Sequence, residues 1–216
     1  MATHEANDEM AMVGEESLGV TNGKVGMWTF LVMDAMTFAG FLAAYARLRW
    51  KTPLIEGTAW PNPYQEFGVF GIQLTALNTF ILICSSVTMV HVLLETYNGE
   101  IERAKKWCLA TIIGGLIFVG IQGFEWTHLI LDKWPYIFDD THSVPYNKNF
   151  AATFLSLTGF HGAHVSVGVI YNIIIYLGLS SGKIGQKNAS LVEIAGLYWH
   201  FVDLIWILVF TFVYLL

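Results

Sequence analysis

Three pairs of residues stand three positions apart in runs that are otherwise apolar: Glu125 with His128, His161 with His164, and His200 with Asp203. On a helix this spacing puts the two side chains of a pair on one face, about 60° apart, so each pair could offer two ligands to one metal ion. A di-iron carboxylate centre needs two Glu-x-x-His motifs and a glutamate from each of two further helices. FEWTH, residues 124–128, supplies one such motif, and the sequence has no second copy. Haem ligation asks for axial histidines at matching depth on facing helices. The candidates are His91, His128, His161, His164 and His200. If the chain crosses a membrane, His200 lies roughly 12 Å from the near end of its helix while His128 lies near the far end of its own, so depth argues against most pairings. The competing reading is that these groups make hydrogen bonds between helices.

The elements that must position them follow from composition. Of 216 residues, 55% are hydrophobic and 13% charged, against about 25% charged in an average soluble domain. Five segments are long and apolar enough to span about 30 Å of hydrocarbon: Val25 to Ala46, Phe67 to Leu94, Trp107 to Leu131, Phe150 to Leu179, and Val192 to Leu216. The fold class expected is therefore all-α, an integral membrane bundle of five transmembrane helices over residues 24–216, after an acidic polar tail over residues 1–23. Trp28, Trp50, Trp60, Trp107, Trp134 and Tyr136 cluster near segment ends, where amphipathic rings sit at headgroup level.

The charge pattern excludes some functions. A net charge of -6 with 11 scattered Lys and Arg residues gives no footprint for nucleic acid. Cys84 and Cys108 lack CxxC spacing and read as small buried hydrophobes. The tail lacks the basic and apolar regions of a secretory signal, so insertion is expected to use the first apolar helix. Lysines and arginines divide almost evenly between the two sides. The longer loops, Thr52 to Glu66 and Asp132 to Asn149, share one side, which we take as outside, with the N-terminus cytoplasmic. Glycines at 114, 115, 120, 123, 159, 162 and 168 would let backbones approach closely.

A charged side chain at a helix centre costs about 2.5 to 3.5 kcal/mol on insertion scales, so such residues face the bundle and find partners. Asp34, roughly 13 Å into the first span and with no basic residue in that helix core, is the sharpest case. It reads either as a neutral acid hydrogen-bonded to a neighbouring helix or as a water, headgroup or proton site.

Taken in order, GMWTFLVMDAMTFAGFLAAY, LTALNTFILICSSVT, QGFEW, TGFHGAHVSVG and YWHFVDLIW resemble the conserved stretches of subunit III of the haem-copper oxidases, in its short five-helix form. The resemblance covers about residues 24–216. It implies a non-catalytic subunit of a respiratory cytochrome c oxidase, packed on subunit I, with haem and copper in partner subunits I and II, and no metal of its own. It also implies bound phospholipid and support of proton uptake and turnover stability. Asp34 matches the family's intramembrane acid, usually a glutamate, and His164 a histidine near the cleft phospholipid. Glu125, His161, Glu193, His200 and Asp203 match its other intramembrane polar positions. Further implied partners are a subunit IV and a larger respiratory assembly, in a bacterial inner membrane. The sequence departs from the family at Met33, where a serine is typical, and at Gly178, where an arginine is expected, with Lys183 the nearest cation. The ending FTFVYLL and the aspartate at 34 are reminiscent of quinol oxidases, so the electron donor stays open. An independent di-metal or haem-binding membrane protein is the reading from a different class.

Overall fold

A computed structural model of the chain describes residues 21–55, 60, 68–133 and 148–216. The tail through residue 20, most of both longer loops, and Trp134 and Tyr136 lie outside the described residues. The described residues form five long helices and no strand: α1 Asn22–Ile55, α2 Gly68–Tyr97, α3 Ile101–His128, α4 Lys148–Ser180 and α5 Ala189–Val209. The last turns of α3 and α5 widen into π-helical segments, Leu129–Lys133 and Phe210–Leu215. All five are long and apolar enough to cross a membrane. Helices of 28 to 34 residues exceed the roughly 20 that a bilayer requires, so they tilt or project beyond the hydrocarbon. Four begin two to six residues earlier than the apolar runs alone indicate, and the first turns of α1 and α3 run through Lys24 and Arg103, where polarity at the membrane surface is no obstacle.

Two glycines explain where two of the helices stop. Of the five prolines, Pro53 falls in the last turns of α1, and those at 61, 63, 135 and 145 lie outside the described residues. Gly99 and Gly182 end α2 and α4 with φ of 79° and 70°, a left-handed geometry that glycine adopts without a Cβ penalty. In each turn the next amide bonds back five residues, Glu100 N to Glu95 O at 2.9 Å and Lys183 N to Gly178 O at 3.0 Å, which closes a Schellman cap. The resulting hairpins, α2–α3 and α4–α5, are the tight connections of the fold.

These two hairpins pack into a four-helix unit in which α2 contacts α3 and α5, and α4 contacts α3 and α5. Helix α1 lies outside it, against α4 and α5. Trp199 occupies the centre of the unit. A Cβ on Gly115 would come within 2.6 Å of its ring, and one on Gly168 within 2.9 Å, so these two positions must be glycine for the indole to fit. At the departure at 178, a Cβ would meet Ile184 Cδ1 at 2.5 Å, so a larger residue there requires that side chain to shift.

Trp28 and Trp50 face outward at 56% and 81% exposure, as belt residues should. Trp60 does not. It is inserted edge-on between Tyr45 and Phe150, with ring centroids 5.5 Å from each. Its position near a segment end made it look like a belt residue, but aromatic partners on α1 and α4 draw it into the protein. Cys84 and Cys108 are both free thiols, Cys108 buried and Cys84 exposed on α2, so only one of them is the buried hydrophobe expected.

Candidate functional site

The polar residues inside the spans sort into separate clusters. Asp34 is 8% exposed on α1 and places its carboxylate Oδ2 3.3 Å from Nε2 of His164 on α4. The other ring nitrogen, Nδ1, lies 2.8 Å from the carbonyl oxygen of Phe160 one turn earlier. A carbonyl only accepts, so Nδ1 carries a proton and Nε2 is left to face the acid. An acid on α1 and a ring nitrogen on α4 thus face each other deep in hydrocarbon, although Oδ2 completes no hydrogen bond. The separation is longer than the about 2.7–2.9 Å of a well-formed charge-assisted bond. Phe38 and Phe160 close the site with rings 5.4 and 4.5 Å from the imidazole. Tyr198 of α5 donates to the His164 carbonyl at 3.0 Å and ties in a third helix.

Glu125 belongs to a second cluster and is fully engaged. Oε1 lies 3.1 Å from the Thr75 hydroxyl, and Oε2 accepts from Gln122 at 3.0 Å and from Tyr214 at 3.1 Å. Three helices, α2, α3 and the end of α5, thus meet at one carboxyl group. The i, i+3 partner proposed from sequence, His128, is absent from these bonds.

His161, three residues before His164, is completely buried, and neither ring nitrogen has a hydrogen-bond partner. It is held by ring contacts instead: Trp206 stacks on it at 4.8 Å, and Phe118 and Phe38 meet it edge-on at 5.8 and 6.3 Å. His91 stacks on Trp107 at 4.6 Å. Among the described residues no three His, Cys, Asp or Glu side chains converge as a metal site. His161 and His164 share Phe38 as a ring neighbour, and beyond it His161 meets Trp206 and Phe118 while His164 meets Asp34 and Phe160.

The YWHFVDLIW stretch, Tyr198 to Trp206, divides the same way. Trp199 donates to the Ser85 hydroxyl at 3.1 Å and Trp206 to that of Thr79 at 2.9 Å, both on α2. Seven residues along α5 match six along an antiparallel α2, so LNTFILICSSVT and YWHFVDLIW are two halves of one interface. Asp203 faces this interface beside Ser86, though neither Asp203 Oδ1 nor the Ser86 hydroxyl completes a hydrogen bond. His200 is on the other side, lining a groove between α1 and α5. The shared hydrogen-bonding face expected for His200 and Asp203 is therefore corrected. A 60° offset is enough to turn one toward α2 and the other toward α1.

Glu193 sits at the membrane surface, ion-paired with Lys24 at 2.8 Å and accepting from Tyr97 at 3.0 Å. At the opposite end of the bundle Arg49 donates to the carbonyl of Leu216. The polar partners Lys24, Thr75, Thr79, Ser85, Ser86, Tyr97 and Tyr214 were not singled out from sequence. Hydroxyls and terminal residues are common in spans, and nothing in the sequence marks these as partners.

The family described as Cytochrome c oxidase subunit III matches residues 3–216. Cytochrome c oxidase subunit 3 of Alkalihalophilus pseudofirmus is 32% identical over 90% of this chain and 87% of its own length. Cytochrome bo(3) ubiquinol oxidase subunit 3 of Pseudomonas putida is 29% identical over 89% and 84% respectively. Cytochrome c oxidase subunit 3 of Bacillus subtilis is 29% identical over 90% and 86%. With the five spans and the paired motifs in place, the chain belongs to the cytochrome c oxidase subunit III family.

Proposed function

We propose that this integral membrane chain serves as the third subunit of a terminal oxidase that reduces O2 to water with electrons from cytochrome c. It contributes no redox centre: haem and copper reside in subunits I and II, and this chain packs on subunit I, with a fourth subunit or a larger respiratory assembly beyond. Its own residues retain phospholipid and support proton uptake and turnover stability. The protein resides in a bacterial inner membrane, with its N-terminus cytoplasmic and its C-terminus outside. The observation that carries the reading is the Asp34–His164 pair, an acid on α1 facing a histidine on α4 within the spans. Ionisable side chains placed inside spans mark proton or ion pathways, which a purely apolar contact cannot provide. Glu193, through Lys24, and His161, through its ring contacts, hold α1 and α4 in the bundle around it.

The test is Asp34→Ala in the intact oxidase. Haem content per complex is expected to stay unchanged, while turnover falls or inactivation during turnover quickens. Stoichiometric iron or copper on the chain purified alone would overturn the proposal. A quinol oxidase is the second reading, favoured by relatives of that name at nearly the same identity. A copper-binding motif in the co-purified subunit II decides for cytochrome c.

A further inference from the structure

We propose that the groove between α1 and α5 is the seat of a transmembrane helix from another subunit, which presents a hydrogen-bonding group to His200. The inference rests on the family reading above and gives the association a place. The groove has a volume of about 320 Å³, and its walls include Trp28, Val32 and Ala35 on α1 and His200, Phe201 and Leu204 on α5. All of these but His200 are apolar. Val32 and Leu204 are 58% exposed each, so the walls open outward rather than into the bundle.

His200 makes no hydrogen bond, ion pair or ring contact among the described residues, unlike His91, His161 and His164. The apolar span that carries it runs Gln186–Leu215, and His200 lies 14 residues, or about 21 Å, along it. That is close to the middle of the bilayer. Depth selects the occupant. A phospholipid brings its phosphate and ester oxygens to the membrane surface and only methylenes to this level, so a lipid leaves the imidazole unpaired. A polar group in hydrocarbon is costly without a partner. A helix crossing the same plane can bring a side-chain donor or acceptor, or a free carbonyl at a break, to any depth. Ala35 provides the small residue that lets such a helix approach closely. Helix α1 is also the least enclosed of the five spans: 17% of its most apolar stretch is buried within the protein, against 50% for α5.

Photo-crosslinking in the assembled oxidase tests this. A benzophenone amino acid replaces Leu204 or, as a control on the α4 surface, Ile174, which is 57% exposed. The expected result is a covalent adduct from position 204 to a peptide of another oxidase subunit. In a detergent series, His200→Leu should lower retention of that subunit by roughly three- to fifteen-fold, the range of interhelical hydrogen bonds in membranes. An adduct only to lipid or quinone, or to a second copy of this chain, overturns the proposal while the oxidase remains intact. Unchanged retention in His200→Leu also overturns it. Purification with no other oxidase subunit attached would instead overturn the family-based function.

Discussion

Helix α1 and the four-helix unit of α2 to α5 are held by different physics. The unit is packed around aromatic rings. Trp199 fills the slot left by Gly115 and Gly168, Trp206 stacks on His161 and meets Phe118 edge-on at 4.8 Å, and each indole donates to a hydroxyl on α2. Helix α1 has ring contacts too, between Phe38 and Phe160, but its long-range polar ties are few and spaced along its length. Among the described residues they are Lys24 to Glu193 at one surface, Asp34 to His164 in the middle, and Arg49 to Leu216 at the other surface. In lipid, where apolar side chains gain little by leaving the bilayer for each other, close packing and polar bonds decide which helices stay together. The unit has both. Helix α1 relies more on the polar ties, which titration or a partner can change.

The largest effect should come from the packed unit. Trp199→Ala removes a completely enclosed indole and is expected to destabilise by about 3–5 kcal/mol. Trp50→Ala, on the outer face of α1, should stay within about 0.5 kcal/mol. Thermal unfolding of the subunit in the detergent-solubilised complex compares the two. Equal losses would erase the distinction between regions.

Glu125 comes next, because two donors, Gln122 and Tyr214, share its Oε2. Glu125→Leu removes both acceptor oxygens and leaves those two donors without the carboxylate. A loss of about 1–3 kcal/mol is expected from the donors left unsatisfied. The same unfolding midpoint measures it, and a neutral result would mean that the cluster rearranges freely.

Much of this division was legible in the sequence, and some of it was not. Five spans followed from hydropathy because a helix is the one open structure that satisfies its own amides in lipid. The importance of Asp34 followed from the cost of burying an acid. Its partner did not, since His164 comes from a helix 130 residues later and four other histidines were equal candidates. Trp60 was misjudged because nearness to a span end does not reveal neighbours in space. The interface of α5 with α2 was present as two recognisable motifs, yet only the antiparallel packing shows that Thr79 and Ser85 are the acceptors for Trp206 and Trp199.

The surface tie of α1 should be weaker than either core site. Lys24 and Glu193 are partly exposed, with side-chain exposures of 20% and 26%. Lys24→Ala is therefore expected to cost about 0.2–1 kcal/mol, and less at high salt. Hydrogen exchange of the first turns of α1 reads this directly. Faster exchange limited to those turns fits a local clasp, whereas faster exchange across α2 and α3 would mean that α1 is integral to the core.

The smallest expected effect is the coupling between His200 and Asp203, and it locates the boundary between the two regions. The residues are one helical turn apart, and a sequence reading makes them partners. Yet Asp203 is turned toward Ser86 on α2 and His200 toward the α1 groove, with no bond between them. Substitutions at sites that share no partner add to within about 0.3–0.5 kcal/mol. His200→Ala and Asp203→Ala, singly and together, should therefore combine additively in the unfolding free energy of the complex. A coupling above about 1 kcal/mol would mean that the two side chains meet after all, and the line between the packed unit and its peripheral helix would no longer run along α5 between these two positions.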